Sequence, residues 1–141
     1  MSSNDCIFCK IVAKQIPAYV VYENDHCIAF LDINPVSYGH CLVVPKQHVE
    51  TFADATPEVI SELFKCVQQV AIAICKATNA AGFNVVINSG EIAGQVIRHL
   101  HVHIVPRYDN DGLTIDKQPS TKLDEAKAKQ LVEKLQHMLK S

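Results

Sequence analysis

Apolar residues are grouped along the chain in short blocks separated by polar breaks. The first block, Ile7 to Ala13, suits one or two helical turns. Two strand-like runs follow, Tyr19–Tyr22 and Cys27–Leu31, with Glu23-Asn24-Asp25 between them as a tight turn. Asp32 to Gly39 reads as a loop broken by Pro35 and Gly39. His40 to Val44 is a third strand closed by Pro45. The clearest helix starts at Thr56, a capping residue, with Pro57 in the first helical position. Val59, Ile60, Leu63, Phe64, Val67, Val70, Ala71 and Ile74 then recur at helical spacing, a stripe suited to covering a sheet. Asn79 helps to stop this helix before Gly82. Phe83–Asn88 is a fourth strand, Ser89–Gln95 a glycine-containing loop, and Leu100–Val105 a fifth strand closed by Pro106. After the irregular polar stretch Asp109–Thr121, a last helix spans Asp124–Leu139, with Leu131, Leu135 and Met138 on one face.

Strands and helices in this order do not alternate regularly. The expected class is α+β, with an antiparallel sheet rather than a doubly wound parallel one. The 141 residues form one expected domain, with a core over about 5–107 and a C-terminal segment over 108–141. Thirteen Lys+Arg against 15 Asp+Glu leave a formal charge of −2, so neither a nucleic-acid partner nor a membrane surface is expected. The polar N-terminus has no signal-peptide pattern and no apolar run is long enough to span a bilayer. The expected location is cytoplasmic, with the nucleus also open. In that setting the six cysteines read as reduced thiols or metal ligands.

The chemistry concentrates in His99-Leu100-His101-Val102-His103-Ile104-Val105. Side chains alternate along a strand, so His99, His101 and His103 share one face, about 6.6–6.8 Å apart for each two-residue step. Leu100, Val102 and Ile104 take the other face, under the long helix. Three imidazoles are costly to bury without partners. A polar solvent face and a zinc site on the triad are the plain alternatives. Neutral imidazole is also a nucleophile near pH 7, and attack on phosphorus gives a phosphoramidate that water can open. A separate pair, Cys6 and Cys9, forms a CxxC motif, and His48 lies just past the third strand. Cys27, Cys41, Cys66 and Cys75 sit within strand or helix patterns and read as packing residues.

These residues, with Ile7-Phe8-Cys9-Lys10-Ile11, Phe30-Leu31-Asp32-Ile33, Gly39 to Lys46 and Gly94-Gln95, resemble the histidine-triad (HIT) family of nucleotide hydrolases and transferases. The likeness runs from about Asp5 to Arg107 and is nearest to the Hint-like branch, including its short zinc-containing bacterial members. It implies a homodimer whose two five-stranded sheets join into ten strands. It implies that His101 attacks the α-phosphorus of a purine nucleotide, such as an AMP or GMP conjugate, and becomes nucleotidylated. His103 would contact the phosphate and help the leaving group, and His99 would complete the catalytic set. His40 and Asn88 would orient groups around the phosphate, and Gly94 would let backbone approach the ligand. Asp32 would bind the ribose hydroxyls, and Ile7, Phe8, Ile11, Phe30 and Ile33 would line the base pocket.

Val96 stands where Hint proteins commonly carry a phosphate-binding serine; Gln95 or backbone amides of the same loop are the expected substitutes. The resemblance also implies a structural zinc held by Cys6, Cys9, His48 and His99, with no organic cofactor. The implied reaction is cleavage of a nucleoside 5′-phosphoramidate or a related nucleotide conjugate. Dinucleoside polyphosphate hydrolysis and a nucleotide-binding regulatory role with little turnover are the alternatives.

Overall fold

A computed structural model describes residues 5–114 and 121–140. Residues 115–120 of the irregular stretch expected over 109–121 lie outside the described residues. The chain divides into two units, 1–111 and 112–141. The first contains α1 (Ile7–Val12), β1 (Val20–Glu23), β2 (Cys27–Leu31), β3 (Cys41–Pro45), α2 (Pro57–Thr78), β4 (Gly82–Val86) and β5 (Val102–Arg107). The second contains α3 (Glu125–Met138). Asp124 caps α3 by accepting the Lys127 N–H at 3.0 Å, and the helix buries none of its residues. Among the described residues no helix is long and apolar enough to cross a membrane.

The five strands form one antiparallel sheet in the order β1-β2-β3-β5-β4, which is the expected α+β architecture. Asn24 makes the first hairpin turn, its Oδ1 accepting the N–H groups of His26 and Cys27 at 2.8 and 2.9 Å. α2 is set at both ends by its own sequence. Thr56 Oγ1 accepts the Val59 N–H at 3.2 Å, and Asn79 ends the helix in the left-handed conformation.

Strand alternation divides the core. Cys27, Ala29, Cys41, Val43, Val102 and Ile104 pack with Leu63, Cys66, Val67, Val70, Ala71 and Ile74 of α2, together with Leu100 from just before β5. Ile28, Phe30, Leu42 and Val44 pack on the opposite face with Cys6, Phe8 and Ile11. β2 and β3 are thus covered on both sides, which is why they read as unbroken apolar runs. Phe64, expected in the buried stripe, turns outward and meets Phe52 edge-on at 6.5 Å.

Both limits of the fifth strand shift from their expected places. The fifth strand joins the sheet only at Val102, because the segment before it binds elsewhere: the Leu100 N–H donates to the Val49 carbonyl at 2.7 Å. The strand also runs through Pro106 rather than stopping there. Pairing with β3 has already ended at Ile104, so only β4 flanks the residue that lacks an N–H. β4 leaves the ladder after Val86, which frees Asn88 to turn toward the face bearing the histidines.

Candidate active site and metal centre

A cavity of about 560 Å³ opens on the sheet face opposite α2. Its floor is a cross-strand row, Phe30 beside Leu42 and Leu42 beside His103. Ile7, Phe8 and Ile11 of α1 form one wall. The loop carrying Asp32 and Ile33 forms a second, and Gly94 and Val96 with Asn88 a third. His101 and His103 complete the lining. A larger cavity of about 690 Å³ lies by Lys46 and the start of α2, but it contains none of the triad. Only the smaller one joins apolar walls to convergent nucleophilic groups, and it is the candidate site.

The proton positions follow from the hydrogen bonds. His101 Nδ1 lies 2.7 Å from the His99 carbonyl, which can only accept, so Nδ1 carries the proton. The lone pair of a neutral His101 is therefore on Nε2. The Val36 N–H donates to His40 Nδ1 at 3.1 Å, which puts the proton of neutral His40 on Nε2. That N–H donates to His103 Nδ1 at 3.0 Å, leaving the His103 proton on Nε2. One main-chain carbonyl and one main-chain amide thus set an acceptor on His101 and a donor on His103. The two rings are 5.0 Å apart, centroid to centroid.

Burial keeps these rings neutral. Desolvation lowers the pKa of His101 against the opposing pull of the His99 carbonyl and Asp32. Desolvation, with the neighbouring charges of His101 and His40, takes His103 down to about 4. His40 is also lowered by burial, so its 3.5 Å approach to Asp32 is a polar contact rather than an ion pair. Asp32 Oδ1 accepts the Asn34 N–H at 2.8 Å. Its role as a loop cap and its place in the cavity wall are therefore compatible.

The expected pocket residues come together with one exception. Ile7, Phe8, Ile11, Phe30, Asp32, Ile33, Asn88, Gly94 and Val96 all line the cavity, but Gln95 does not. The Gln95 side chain is buried and fully used within the chain. Oε1 accepts the Gly90 N–H at 2.9 Å, while Nε2 donates to the carbonyls of Glu50 and Ile97 at 2.6 and 3.0 Å. It braces the loop that carries Gly94 and offers no side-chain donor in place of the missing serine. Sequence reading also missed Ile16, Pro17, Ala18, Leu31, Asn34, Leu42 and Ile97 in the lining. Loop residues such as Pro17 and Ala18 carry no periodic signal that could have marked them.

His99 leaves the other two histidines. Its Nε2–H donates to the Pro45 carbonyl at 2.8 Å, which turns the Nδ1 lone pair toward Cys6 Sγ at 3.3 Å, Cys9 Sγ at 3.6 Å and His48 Nδ1 at 3.2 Å. Cys9 Sγ lies 3.2 Å from His48 Nδ1, and the four ligand atoms all fall within 4.8 Å of one another. Neighbouring ligands of a tetrahedral zinc with ordinary Zn–N and Zn–S bonds sit about 3.3–3.8 Å apart, so this donor set fits such an ion. His48 Nε2 is the one buried side-chain nitrogen or oxygen without a hydrogen-bond partner among the described residues. The ring is held through its Nδ1 side, where an ion would hold it too. Without a metal, burial and the neighbouring Cys6 push the Cys9 thiol up to about 11. The other four cysteines are packing residues or nearly so. Cys27, Cys41 and Cys66 lie in the core under α2, and Cys75 is half-buried at its C-terminal end.

His103 on β5 and His101 just before it line one apolar cavity, and His99 sits in a Cys/His cluster; together they define a histidine-triad protein. The chain belongs to the HIT domain family, whose model matches residues 13–110. It is 43% identical over 132 residues to "Adenylylsulfatase HINT3" of Arabidopsis thaliana; the match covers 92% of this chain and 66% of that protein. The crystal structure of SMU.412c from Streptococcus mutans UA159 superposes with a TM-score of 0.92 at 42% identity, over 99% of this chain and 88% of the other. A Zn-bound histidine triad family protein from Mycobacterium smegmatis superposes with a TM-score of 0.76 at 34% identity, over 98% and 97% of the two chains.

Proposed function

We propose that the protein hydrolyses a nucleoside 5′-phosphoramidate, or a related nucleotide conjugate, at the α-phosphorus through a nucleotidyl-His101 intermediate. The observation that carries this reading is the 2.7 Å bond from His101 Nδ1–H to the His99 carbonyl, which leaves Nε2 as a free lone pair. The apolar wall of Ile7, Phe8, Ile11, Phe30 and Ile33 suits a purine, and the Asp32 carboxylate suits two ribose hydroxyls. An adenylyl group is also what the name of the Arabidopsis relative specifies.

The lone pair of His101 Nε2 attacks phosphorus and the bond from phosphorus to the leaving atom breaks. The bound phosphate anion raises the pKa of His103 by direct attraction. In the complex His103 thus takes up a proton at Nδ1, since Nε2 already carries one, and hands the Nε2 proton to the leaving atom. Water then opens the P–N bond, His103 accepts its proton, and the nucleoside monophosphate leaves with His101 regenerated. Asn88 and the backbone at Gly94 border the phosphate region. The same reading places a structural zinc on Cys6, Cys9, His48 and His99, apart from the reacting phosphorus, and pairs two protomers into a homodimer.

Rapid quenching with labelled adenosine phosphoramidate should trap AMP on His101 as an acid-labile adduct. His101→Ala should still bind AMP while losing almost all turnover, and His103→Ala should lose about 10²–10⁴-fold. A label on His103, or full activity in His101→Ala, would refute the assignment. Turnover of a dinucleoside polyphosphate in preference to the phosphoramidate would move the substrate class. Binding without turnover of either would favour a regulatory role.

A further inference from the structure

α1 belongs to two sites at once. Its N-terminal cap Cys6 and its third residue Cys9 supply both sulfurs of the Cys/His cluster. Between and after them Ile7, Phe8 and Ile11 form a wall of the cavity. Phe8 meets His99 edge-on at 5.9 Å and His101 at 5.1 Å. The helix is only six residues long. Isolated helices of that length do not persist in water, so α1 depends on its anchors. The cluster is one such anchor, joining α1 to His48 and His99.

The two sulfurs are also placed to react with each other. The Cys9 N–H donates to Cys6 Sγ at 3.4 Å, and both sulfurs lie in a group whose atoms are all within 4.8 Å. Cys9 is half-buried, whereas Cys6, Cys27, Cys41 and Cys66 are at most 1% exposed. Cys75 is half-buried as well; an oxidant from solution that reaches Cys9 finds Cys6 beside it.

We propose that Cys6 and Cys9 form a peroxide-responsive latch, in which their oxidation to a disulfide expels the zinc and releases α1 from the catalytic face. The step balances with hydrogen peroxide as oxidant. The Cys9 thiolate attacks one peroxide oxygen, the O–O bond breaks, and hydroxide leaves as water after taking a proton. Cys6 then attacks the resulting sulfenic sulfur, the S–S bond forms, the S–O bond breaks, and a second water leaves. Two electrons pass from the two sulfurs to peroxide. The disulfide no longer offers thiolate donors, so His48 and His99 alone hold the ion too weakly to keep it. The proposal rests on the zinc reading above but not on the nucleotide chemistry.

The test uses the full reduced chain. Metal content is measured first, and then hydrogen peroxide is added in stoichiometric amounts with a chromophoric zinc chelator present. One zinc per chain should appear as two thiols are lost, with peptide mapping placing the disulfide at Cys6–Cys9. Hydrogen exchange at the Lys10 and Ala13 amides, which donate to the Cys6 and Cys9 carbonyls, should quicken by at least about tenfold as the helix opens. Reductant with added zinc should restore protection. Absence of zinc from the reduced protein would overturn the zinc reading and the latch together. Zinc retained after peroxide, a disulfide elsewhere, or unchanged exchange in α1 would overturn the latch alone.

Discussion

His40 and His103 are held neutral by burial, and that has a consequence for stability. His103 ordinarily titrates near 6.5 and here falls to about 4, and His40 shifts in the same direction. Above pH 6.5 the rings are neutral in both folded and unfolded chains. Below it the unfolded chain binds protons that the folded chain refuses, so stability declines as pH falls from about 6.5 to about 4. Thermal melts across that window should show the decline, and His103→Asn should make it shallower; an unchanged slope would contradict the assigned shift. Val96 is a second residue with a measurable effect. It is 88% exposed at the cavity rim, so a smaller polar side chain fits there without loss of core packing. Val96→Ser should raise phosphoramidate turnover by about tenfold, the equivalent of one hydrogen bond to a charged group. Steady-state kinetics check this, and equal rates would mean that the loop backbone already satisfies the phosphate.

At the scale of elements, the loop before β3 delivers His40, and Gly39 sets its direction. Gly39 has φ +91°, and a Cβ there would meet Ile74 Cγ2 at 3.1 Å and Pro106 Cγ and Thr78 Cγ2 at 3.2 Å. Gly39→Ala is therefore strained in the backbone and crowded against α2 and β5 together. It should cost about 1–3 kcal/mol in denaturant unfolding. Since His40 is the next residue, the hydrogen bond to His103 should weaken as well. The strands and helices were legible in outline because hydrophobic runs, capping residues and turns all lie close in sequence. Thr56, Asn79 and Asn24 act as local signals and perform as such in the structure. The start of β5 was not legible. Leu100 binds Val49, a partner 51 positions away that no local pattern announces.

For the whole molecule, β1 and β4 are the two edges of the sheet. β4 exposes Phe83 and Val85. An apolar edge of this kind invites strand pairing, which is the basis for expecting a homodimer. Light scattering on dilute protein should give twice the chain mass, 31.2 kDa from two chains of 15.6 kDa. A fully active monomer would count against it.

Sequence alone determined the kinds of group available and much of their grouping. Alternation put His101 and His103 on one face, and the CxxC pair stood out beside His48 and His99. The resemblance to the histidine-triad family named the pocket residues, and the cavity gathers all of them but Gln95. What only the tertiary structure decided is the direction of each lone pair. The His99 carbonyl, the Val36 amide and the Pro45 carbonyl choose which nitrogen of His101, His40 and His99 carries the proton. Those partners are main-chain groups, present at nearly every position, so composition and spacing contain no trace of them. Gln95 shows the same limit: its amide could have faced a ligand, and only the folded positions of Gly90, Glu50 and Ile97 reveal that it is already bonded.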